Sequence, residues 1–386
     1  MHRALNGVSS IKANAHRLDS IIANPLLFIT SPFVRLLQLD AQLTKMPPIE
    51  IQSECMLNDN DMLRRFGCEK NMKLRMPQFM NAERFKRIFS SIDCVIFDCD
   101  GVLWLGENAI PGSAQFVEML LKAGKQVIFL TNNATKSREV YAKKLVKLGY
   151  NEKIRKDHIV NPAAVVADTI KNSGIKEQNK KVYLIGSQGV KDELSDLGIE
   201  HFGGDVPDPV ENQESAKGAS FLYDIELEED VEQVGAVVVG YEKHFNYIKL
   251  MKAANYLQKE DCMFVATNED ETCPGPKPGV IIPDAGPLVA AVRCASSREP
   301  LVVGKPNSPA FDYICRRWKI DAQRTMMIGD RTNTDVKFGR DHGLKTLLVL
   351  SGCHQVDDIV QNQLDERDDM VPDFYAKNLG SLVPQN

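Results

Sequence analysis

The sequence predicts an α/β protein with a parallel-sheet core, a second α/β domain inserted into that core, and an N-terminal extension. From about residue 78, short β-branched runs alternate with helical stretches, which is typical of βαβ units and a parallel sheet. A second alternation of the same kind begins near residue 178. Residues 1–77, by contrast, show no sustained period of two or of 3.6, so we expect them to be largely disordered or to serve in targeting.

The core elements can be placed in order. Apolar runs predict strands at 94–98, 126–130, 301–303, 325–328 and 346–350. Helices are predicted at 111–122 and 137–148, where Gly124 and Gly149 end them. Asn161 and Pro162 predict a helix start, because Asn caps a helix and Pro fits its first turn.

The inserted domain has its own strands and helices. Strands are predicted at 182–185, 235–239 and 262–266, and helices between them at 191–197 and 247–258. A further helix is predicted at 287–296, across the boundary with the second part of the core. The loops at 203–219 and 270–287 are rich in Gly and Pro. The predicted domains are therefore an extension at 1–77, a core at 78–177 and 290–386, and an inserted domain at 178–289. An insertion of this size is tolerated where the ends of the inserted segment lie close together at the surface of the core.

Composition excludes several functional classes. The net charge of −5 gives no reason to expect a nucleic-acid or anionic-membrane partner. No apolar run approaches the ~20 residues of a transmembrane helix. The nine cysteines are odd in number and lack a C-x-x-C, so reduced thiols in the cytoplasm are expected. Residues 1–40 weakly resemble a mitochondrial presequence, so mitochondrial import is the alternative.

Four of the core strands end in polar groups suited to phosphate chemistry. These groups are Asp98 and Asp100, then Thr131, Asn132 and Asn133, then Lys305, and finally Asp330 followed by Asp335. The carboxyl ends of parallel strands lie on one edge of the sheet, so residues far apart in sequence would converge there.

The residue types at this edge suit phosphoryl transfer. Asp98, at a strand tip, is a plausible covalent nucleophile toward phosphorus. Mg²⁺ would screen its charge from the phosphate, with Asp98, Asp330 and the Asp100 backbone carbonyl as ligands. Asp100 is placed to protonate the leaving alkoxide and later to activate water. Lys305 would balance the negative charge, and Thr131 and Asn132 would donate hydrogen bonds to the phosphoryl oxygens.

Each of these motifs by itself is common in ordinary turns and helix starts. Their conjunction, four signals in order and each at a strand end, favours a functional site. Two histidines in the inserted domain, His201 and His244, could face substrate, although exposed loop histidines are the simpler expectation.

At these positions the chain resembles the haloacid-dehalogenase-type phosphatases. The segments D-C-D-G-V-L-W (98–104), T-N-N-A-T-K-S-R (131–138), V-G-K-P (303–306) and G-D-R-T-N-T-D (329–335) match the four motifs of that family in order. Residues 78–386 are most similar to the p-nitrophenyl phosphatase branch, which includes phosphoglycolate and pyridoxal phosphatases. Ala134 and the segment 284–286 depart from the usual pattern of this branch, and the latter leaves the substrate open.

The resemblance implies a Rossmann-like core with a C2-type cap, and dimerisation through the cap. It implies Asp98 as nucleophile, Asp100 as acid and base, and both with Asp330 around Mg²⁺. Asn133 would join Thr131, Asn132 and Lys305 at the phosphate, and Asp335 would support the metal site, directly or through a water.

The predicted function is hydrolysis of a small phosphate ester. On resemblance alone, a 2-phosphoglycolate-like acid is the first choice of substrate and pyridoxal phosphate the second. A catalytically inactive regulator that keeps the fold is the non-enzymatic alternative, and the presence of every acidic group weighs against it. A phosphomutase or dehalogenase on the same fold is a third class, although Asp100 argues against a dehalogenase, which has no alkoxide to protonate.

Overall fold

The structure is a computed structural model that describes residues 76–207, 227, 229–273 and 280–384. The predicted extension 1–77 and its candidate presequence lie outside the described residues, apart from Met76 and Pro77. None of the helices in these ranges combines the length and the apolar character needed to cross a membrane.

The strands alternate along the chain with helices and short turns. In chain order the described strands are β1 Gln78–Phe79, β2 Cys94–Phe97, β3 Trp104–Leu105, β4 Asn108–Ala109, β5 Gln126–Leu130, β6 Ile159–Val160, β7 Lys181–Ile185, β8 His201–Gly203, β9 Val234–Val239, β10 Met263–Ala266, β11 Thr272–Cys273, β12 Ile282–Pro283, β13 Leu301–Val302, β14 Thr325–Gly329, β15 Lys345–Val349 and β16 Phe374–Ala376.

The α-helices lie between these strands along the chain. In chain order the described helices are α1 Ala82–Ile88, α2 Ser113–Lys122, α3 Arg138–Lys147, α4 Pro162–Asn172, α5 Gln188–Asp196, α6 Tyr247–Tyr256, α7 Ala285–Ser296, α8 Ser308–Arg317, α9 Lys337–Asp341 and α10 Val356–Leu364. The predicted start of α4 is confirmed: Asn161 accepts a hydrogen bond from the Ala164 N–H, and Pro162 occupies the first helical position.

The core sheet has seven parallel strands in the order β1-β16-β15-β14-β2-β5-β6. Along the chain, β2 is followed outward by β5 and β6 on one side, while β14, β15 and β16 extend on the other. The strand order therefore reverses between β2 and β14. Ligands of open parallel sheets bind in the crevice at such a reversal.

Alternation along the buried strands assigns each side chain to one face. On β2, Val95 and Phe97 belong to a cluster on one face with Phe116 of α2, while Cys94 and Ile96 belong to a cluster on the other. The second cluster also contains apolar residues of α4 and α8 and of the second sheet. These two helices therefore pack between the two sheets, and one continuous apolar layer joins them.

The second sheet has five parallel strands in the order β13-β10-β9-β7-β8, and we call its elements from β7 to β13 the inserted unit (residues 181–302). The chain leaves the core sheet after β6 and returns at β14. The fold class predicted for the core, a parallel α/β sheet, is confirmed.

One strand was assigned to the wrong sheet. Leu301–Val302 was expected in the core sheet, but it pairs with Val265 and Ala266 of β10. Helix α7 also packs with the inserted unit, through Val289 and Val292. The predicted core segment 290–386 thus begins inside elements of the second sheet. The reason is physical: a strand of two apolar residues carries no pattern that distinguishes one parallel sheet from another.

Candidate active site

The reversal between β2 and β14 brings acidic residues from two adjacent strands together. Asp98 directly follows β2, and its backbone N–H donates to the Ile328 carbonyl at 2.8 Å, so strand pairing fixes it at the edge of the sheet. Asp330 directly follows β14. Asp98, Asp330 and Asp335 are all buried, and each offers a carboxylate oxygen within 4.8 Å of those of the other two.

Lys305 lies among these acids although it is distant in sequence. Its ammonium donates to Asp98 Oδ1 at 2.5 Å, to Asp335 Oδ1 at 2.6 Å and to the Leu130 carbonyl at 3.0 Å. The side chain is almost completely buried. The structure therefore brings Asp98 and Asp330 together with the predicted lysine, Lys305. The predicted supporting acid, Asp335, lies at the same point.

Asp335 is held by an unusual helical turn. Residues Thr332–Val336 form a π-helix, in which the Val336 N–H reaches back to the Arg331 carbonyl. This turn lets Asp335 Oδ2 accept the backbone N–H groups of Asp330 at 3.1 Å and Arg331 at 3.0 Å. With Oδ1 bound to Lys305, both oxygens are used within the protein, which favours a supporting role for Asp335.

The charges in this cluster do not balance. Three buried carboxylates face one buried ammonium, which leaves two negative charges uncompensated among these four residues. Burial raises the pKa of Asp98 well above its usual value; Lys305 opposes that rise, while Asp335 and Asp330 add to it. Burial also raises the pKa of Asp330 to about 7, and the charge of Asp335 contributes, while the Cys353 N–H, Arg331 and Lys305 oppose the rise. One divalent cation would neutralise these two negative charges.

The surroundings of Asp330 are built around its carboxylate. Asp330 Oδ2 accepts the Cys353 N–H at 2.7 Å. A Cβ on Gly101 would lie 2.3 Å from this oxygen, and a Cβ on Gly352 would lie 2.1 Å from it, so both positions require glycine. The donor set, of carboxylate oxygens in a polar cradle, fits a hard cation such as Mg²⁺.

Residues 351–353 were missed at the sequence level. They lie just beyond β15, a predicted core strand that, like the other four, is followed by polar groups. The rule that located the other four segments applies equally to this one. Ser351, whose hydroxyl donates to the Gly101 carbonyl at 2.7 Å, ties it to the loop that carries Asp100.

The loop after β5 is braced by its own side chains and by Lys305. Asn132 Oδ1 accepts the Lys305 N–H at 2.8 Å, and Asn132 Nδ2 donates to the Lys305 carbonyl at 3.0 Å. The same amide nitrogen donates to Asp270 Oδ2 at 3.0 Å. With these bonds, the Asn132 side chain works as a cross-link here. The phosphate contact predicted for that side chain would require it to give up a partner.

Thr131 and Asn133, which flank Asn132 in sequence, have hydrogen-bonding groups of their own at this edge of the sheet. Thr131 is buried, and its Oγ accepts the Asn133 N–H at 3.1 Å, which leaves the hydroxyl proton for a donor role. Asn133 is exposed, and its Oδ1 accepts from the Thr135 N–H and hydroxyl. Thr131 is thus the more enclosed candidate for contact with phosphate.

Asp100 lies two residues beyond Asp98 and is partly exposed. Its Oδ1 accepts the indole N–H of Trp104 at 2.8 Å. Trp104 belongs to the segment that resembles the family, but no role was predicted for it. Asp100 is thus oriented by a neighbour on its own loop, beside the buried acids.

The inserted unit reaches this edge through the segment after β10. Asp270 Oδ2 accepts from Asn268 as well as from Asn132, and Asp270 Oδ1 faces the Arg331 guanidinium at 3.9 Å. Arg331 also donates to the Thr272 carbonyl at 3.4 Å. Burial raises the pKa of the Cys273 thiol on β11, and the charge of the Asp284 carboxylate raises it further.

The two histidines lie elsewhere in the inserted unit. His201 begins β8, the edge strand of the second sheet, and its Nδ1 contacts the Ile199 carbonyl at 3.0 Å. His244 lies in the turn that precedes α6. Neither has a described contact with the acid cluster.

Sequence comparison decides the family. The profile described as haloacid dehalogenase-like hydrolase matches residues 95–200, and a second, HAD-hydrolase-like profile matches 302–382. Mouse glycerol-3-phosphate phosphatase is 37% identical over 311 residues, which cover 79% of this chain and 94% of that protein.

The chain belongs to the haloacid dehalogenase-like hydrolases. Arabidopsis thaliana phosphoglycolate phosphatase 2 is 37% identical to this hydrolase over 313 residues, covering 80% of this chain and 97% of that protein. Among solved structures, the 4-nitrophenylphosphatase of Thermotoga maritima superposes with a TM-score of 0.60 at 29% identity, covering 76% of this hydrolase and 97% of that chain. The hydrolase is therefore a phosphatase of this family, and the predicted resemblance is confirmed.

Proposed function

We propose that this phosphatase is a Mg²⁺-dependent phosphomonoester hydrolase in which Asp98 forms an aspartyl-phosphate with a small phosphorylated metabolite. The observation that supports this most is the buried cluster of Asp98, Lys305, Asp335 and Asp330, with its two uncompensated negative charges. A purely structural cluster would have no reason to leave charge unbalanced in a buried place.

In the first step, a carboxylate oxygen of Asp98 forms a bond to phosphorus while the bond from phosphorus to the ester oxygen breaks. Asp100 gives its proton to that oxygen, so that the product leaves as an alcohol. Lys305 holds Asp98 in place and opposes the charge that gathers on the phosphoryl group.

In the second step, a water oxygen attacks the phosphorus of the phosphorylated Asp98. Asp100, now ionised, takes a proton from this water, and the bond between Asp98 and phosphorus breaks. Inorganic phosphate is released and both carboxyl groups return to their starting state. Thr131 would donate its hydroxyl proton to a phosphoryl oxygen in both steps.

Asp98 and Asp330 would hold the Mg²⁺, together with the Asp100 backbone carbonyl. Bound there, the ion would lower the repulsion between the Asp98 carboxylate and the phosphate dianion. The Cys353 N–H keeps Asp330 in position, and Asp335, both of whose oxygens accept hydrogen bonds within the protein, would support the site without ligating the ion.

For the substrate, 2-phosphoglycolate is the first choice. Related proteins are named for phosphoglycolate and for glycerol 3-phosphate, both small esters. Arg331 follows Asp330 and lies between the acid cluster and β11 of the inserted unit. A leaving group with its own carboxylate could bind this guanidinium. Glycerol 3-phosphate is the second choice, and pyridoxal phosphate stays an alternative.

Loss of the nucleophile tests this proposal. Asp98→Asn should abolish phosphate release from 2-phosphoglycolate and from p-nitrophenyl phosphate, and chelation of Mg²⁺ should do the same to the unaltered chain. Asp93→Asn, a change to an exposed acid just before β2, is the matched control and should leave kcat/KM unchanged. Undiminished turnover by Asp98→Asn would reject the covalent mechanism. A broad phosphate-ester panel that detects no turnover by the unaltered chain would favour an inactive regulator.

The inserted unit would act as a cap over the leaving group, since its Asp270 accepts from Asn132 and its Thr272 carbonyl accepts from Arg331. Dimerisation through this unit is part of the same proposal and is tested by sedimentation of the purified chain. A purely monomeric species at working concentration would reject it.

A further inference from the structure

We propose that Trp104 is a positioning residue that fixes which oxygen of Asp100 carries the catalytic proton. This inference rests on the proposed function, in which Asp100 is the general acid and base. Trp104 itself would touch neither substrate nor phosphate, and it would act only through the carboxyl group of Asp100.

The two residues are joined by side chain and backbone. Trp104 is fully buried, and its indole N–H donates to Asp100 Oδ1 at 2.8 Å. The backbones of Asp100 and Trp104 also form an isolated bridge, in which the Gly101 N–H donates to the Trp104 carbonyl at 2.8 Å. Among the described residues, Trp104 is the side chain that donates to this carboxylate. The 98–104 turn thus folds the indole back onto the acid.

The indole ring is itself held on its faces. The Lys144 ammonium lies 4.5 Å from the ring centroid, in cation–π geometry. The Tyr141 ring is nearly parallel to it, at 14° and 6.3 Å between centroids. The Tyr141 hydroxyl donates to the Asn133 carbonyl at 3.2 Å, in the loop after β5. The indole therefore has a fixed orientation, tied to the loop predicted to bind phosphate.

The chemistry of the indole determines the position of the proton. An indole N–H can only donate, so the Asp100 oxygen that faces it must accept. When Asp100 is protonated, this bond favours the proton on Oδ2, because a carbonyl oxygen accepts an N–H better than a hydroxyl oxygen does. From Oδ2 it passes to the ester oxygen as the bond from phosphorus to that oxygen breaks. In the second step, Oδ2 takes the proton from the attacking water. Without the N–H donor, the proton could lie on either oxygen and the carboxyl group could rotate.

Replacement of the indole by an aromatic ring without an N–H tests this idea. Trp104→Phe should lower kcat/KM for 2-phosphoglycolate or glycerol 3-phosphate by about 10- to 100-fold, a part of the usual contribution of a general acid. With p-nitrophenyl phosphate the loss should be much smaller, because p-nitrophenolate leaves readily without a proton. The ratio of the two kcat/KM values, measured on one preparation, does not depend on the fraction of folded enzyme.

Two controls separate positioning from general packing. The chain has one other tryptophan, Trp318, which packs against the apolar layer between the two sheets. Trp318→Phe should change kcat/KM for both substrates equally or not at all. In the Trp318→Phe chain, incorporation of benzothienylalanine at position 104 replaces only the N–H by sulfur, and it should reproduce the effect of Trp104→Phe.

A double-mutant cycle decides the outcome. If Trp104 acts through Asp100, then Trp104→Phe should cost nothing further in a chain that already carries Asp100→Asn. An equal loss for both substrates, or the same additional loss in the Asp100→Asn background, would overturn the inference. Full alkyl phosphatase activity of Asp100→Asn would instead reject the acid role itself, and hence the proposed function.

Discussion

The two parallel sheets of this protein each reverse their strand order once, and each reversal holds buried charges, but only one reversal leaves those charges unbalanced. In the core sheet, Asp98, Asp330 and Asp335 surround the single ammonium of Lys305. In the inserted unit, the strand order reverses between β7 and β9. There Glu242, three residues after β9, pairs with Lys249 of α6.

The inserted lysine is held by three oxygen atoms. Lys249 donates to Glu242 and also to the backbone carbonyls of Gly204 at 3.0 Å and Val206 at 2.6 Å. Burial raises the pKa of Glu242 to about 7, the same value as for Asp330. At Glu242 the bond and charge of Lys249, which lower the pKa, outweigh the opposing charge of Asp205. At Asp330 the charge of Asp335, which raises the pKa, outweighs each of the opposing influences of the Cys353 N–H, Arg331 and Lys305. A carboxyl group with a similar pKa therefore belongs to the proposed metal site in one sheet and to a structural ion pair in the other.

Replacement of the lysine should affect catalysis in the core sheet and stability in the inserted unit. Lys305→Met should lower kcat by about 10³-fold or more, because it removes a preorganised cation from the reacting phosphoryl group. Lys249→Met should leave kcat/KM of the folded enzyme unchanged and lower the free energy of unfolding by about 3–5 kcal/mol. Steady-state kinetics and urea unfolding measure the two effects.

The exposed Lys243→Met is the control for the inserted lysine, and it should change the free energy of unfolding by less than about 0.5 kcal/mol. If Lys249→Met lost activity while it stayed folded, the inserted reversal would be part of the active site and the contrast would fail.

Titration with Mg²⁺ should raise the free energy of unfolding through the core cluster and not through the inserted ion pair. In the proposed mechanism the ion would compensate only the core cluster, so at 100 times its Kd it should raise the free energy of unfolding by about 2.7 kcal/mol. Asp330→Asn should remove this gain, and Glu242→Gln should retain it. Denaturation followed over a Mg²⁺ series gives the measurement, and an equal gain in Asp330→Asn would place the ion elsewhere.

The inserted pair should also be visible in the dependence of stability on pH. Because the folded pKa of Glu242 is about 7 and its ordinary value is 4.5, the folded state binds more protons between these values. The contribution of this group is therefore present below pH 4.5 and is lost as pH rises toward 7, by up to about 3 kcal/mol. Glu242→Gln should flatten that part of the unfolding profile, and an unchanged slope would contradict the assignment.

The smallest expected effect concerns specificity at the junction of the two units. Arg331→Gln should raise KM for 2-phosphoglycolate by about tenfold, which is about 1.4 kcal/mol, while KM for glycerol 3-phosphate changes little. An equal rise for both substrates would mean that Arg331 supports the site generally and does not bind the carboxylate of the leaving group.

The sequence predicted the part of this architecture that depends on local pattern. The buried strands β2, β5 and β14 carry continuous apolar runs followed at once by polar groups, and the convergence of those groups follows from parallel pairing alone. The start of α4 at Asn161 and Pro162 was likewise encoded locally. The acid cluster could thus be located before any coordinates were known.

The features that escaped prediction depend on tertiary contact. Leu301–Val302 is too short to indicate its sheet, and the cross-link from Asp270 to Asn132 joins loops 138 residues apart. Trp104 was visible in a family motif, but its bond to Asp100 required knowledge of how the 98–104 turn folds. Sequence pattern therefore located the reacting groups, whereas the contacts that orient them needed the structure.

The central claim is that the unbalanced core cluster makes Asp98 a nucleophile, and the chemical state of Asp98 during turnover tests it most directly. The enzyme would be mixed with p-nitrophenyl phosphate and Mg²⁺, quenched in acid within one turnover, digested and sequenced by mass spectrometry. A phosphoryl group on Asp98, absent without Mg²⁺ and increased in Asp100→Asn, is the result expected. A phosphoryl group on another residue, or single-turnover hydrolysis with Asp98 never modified, would contradict the account.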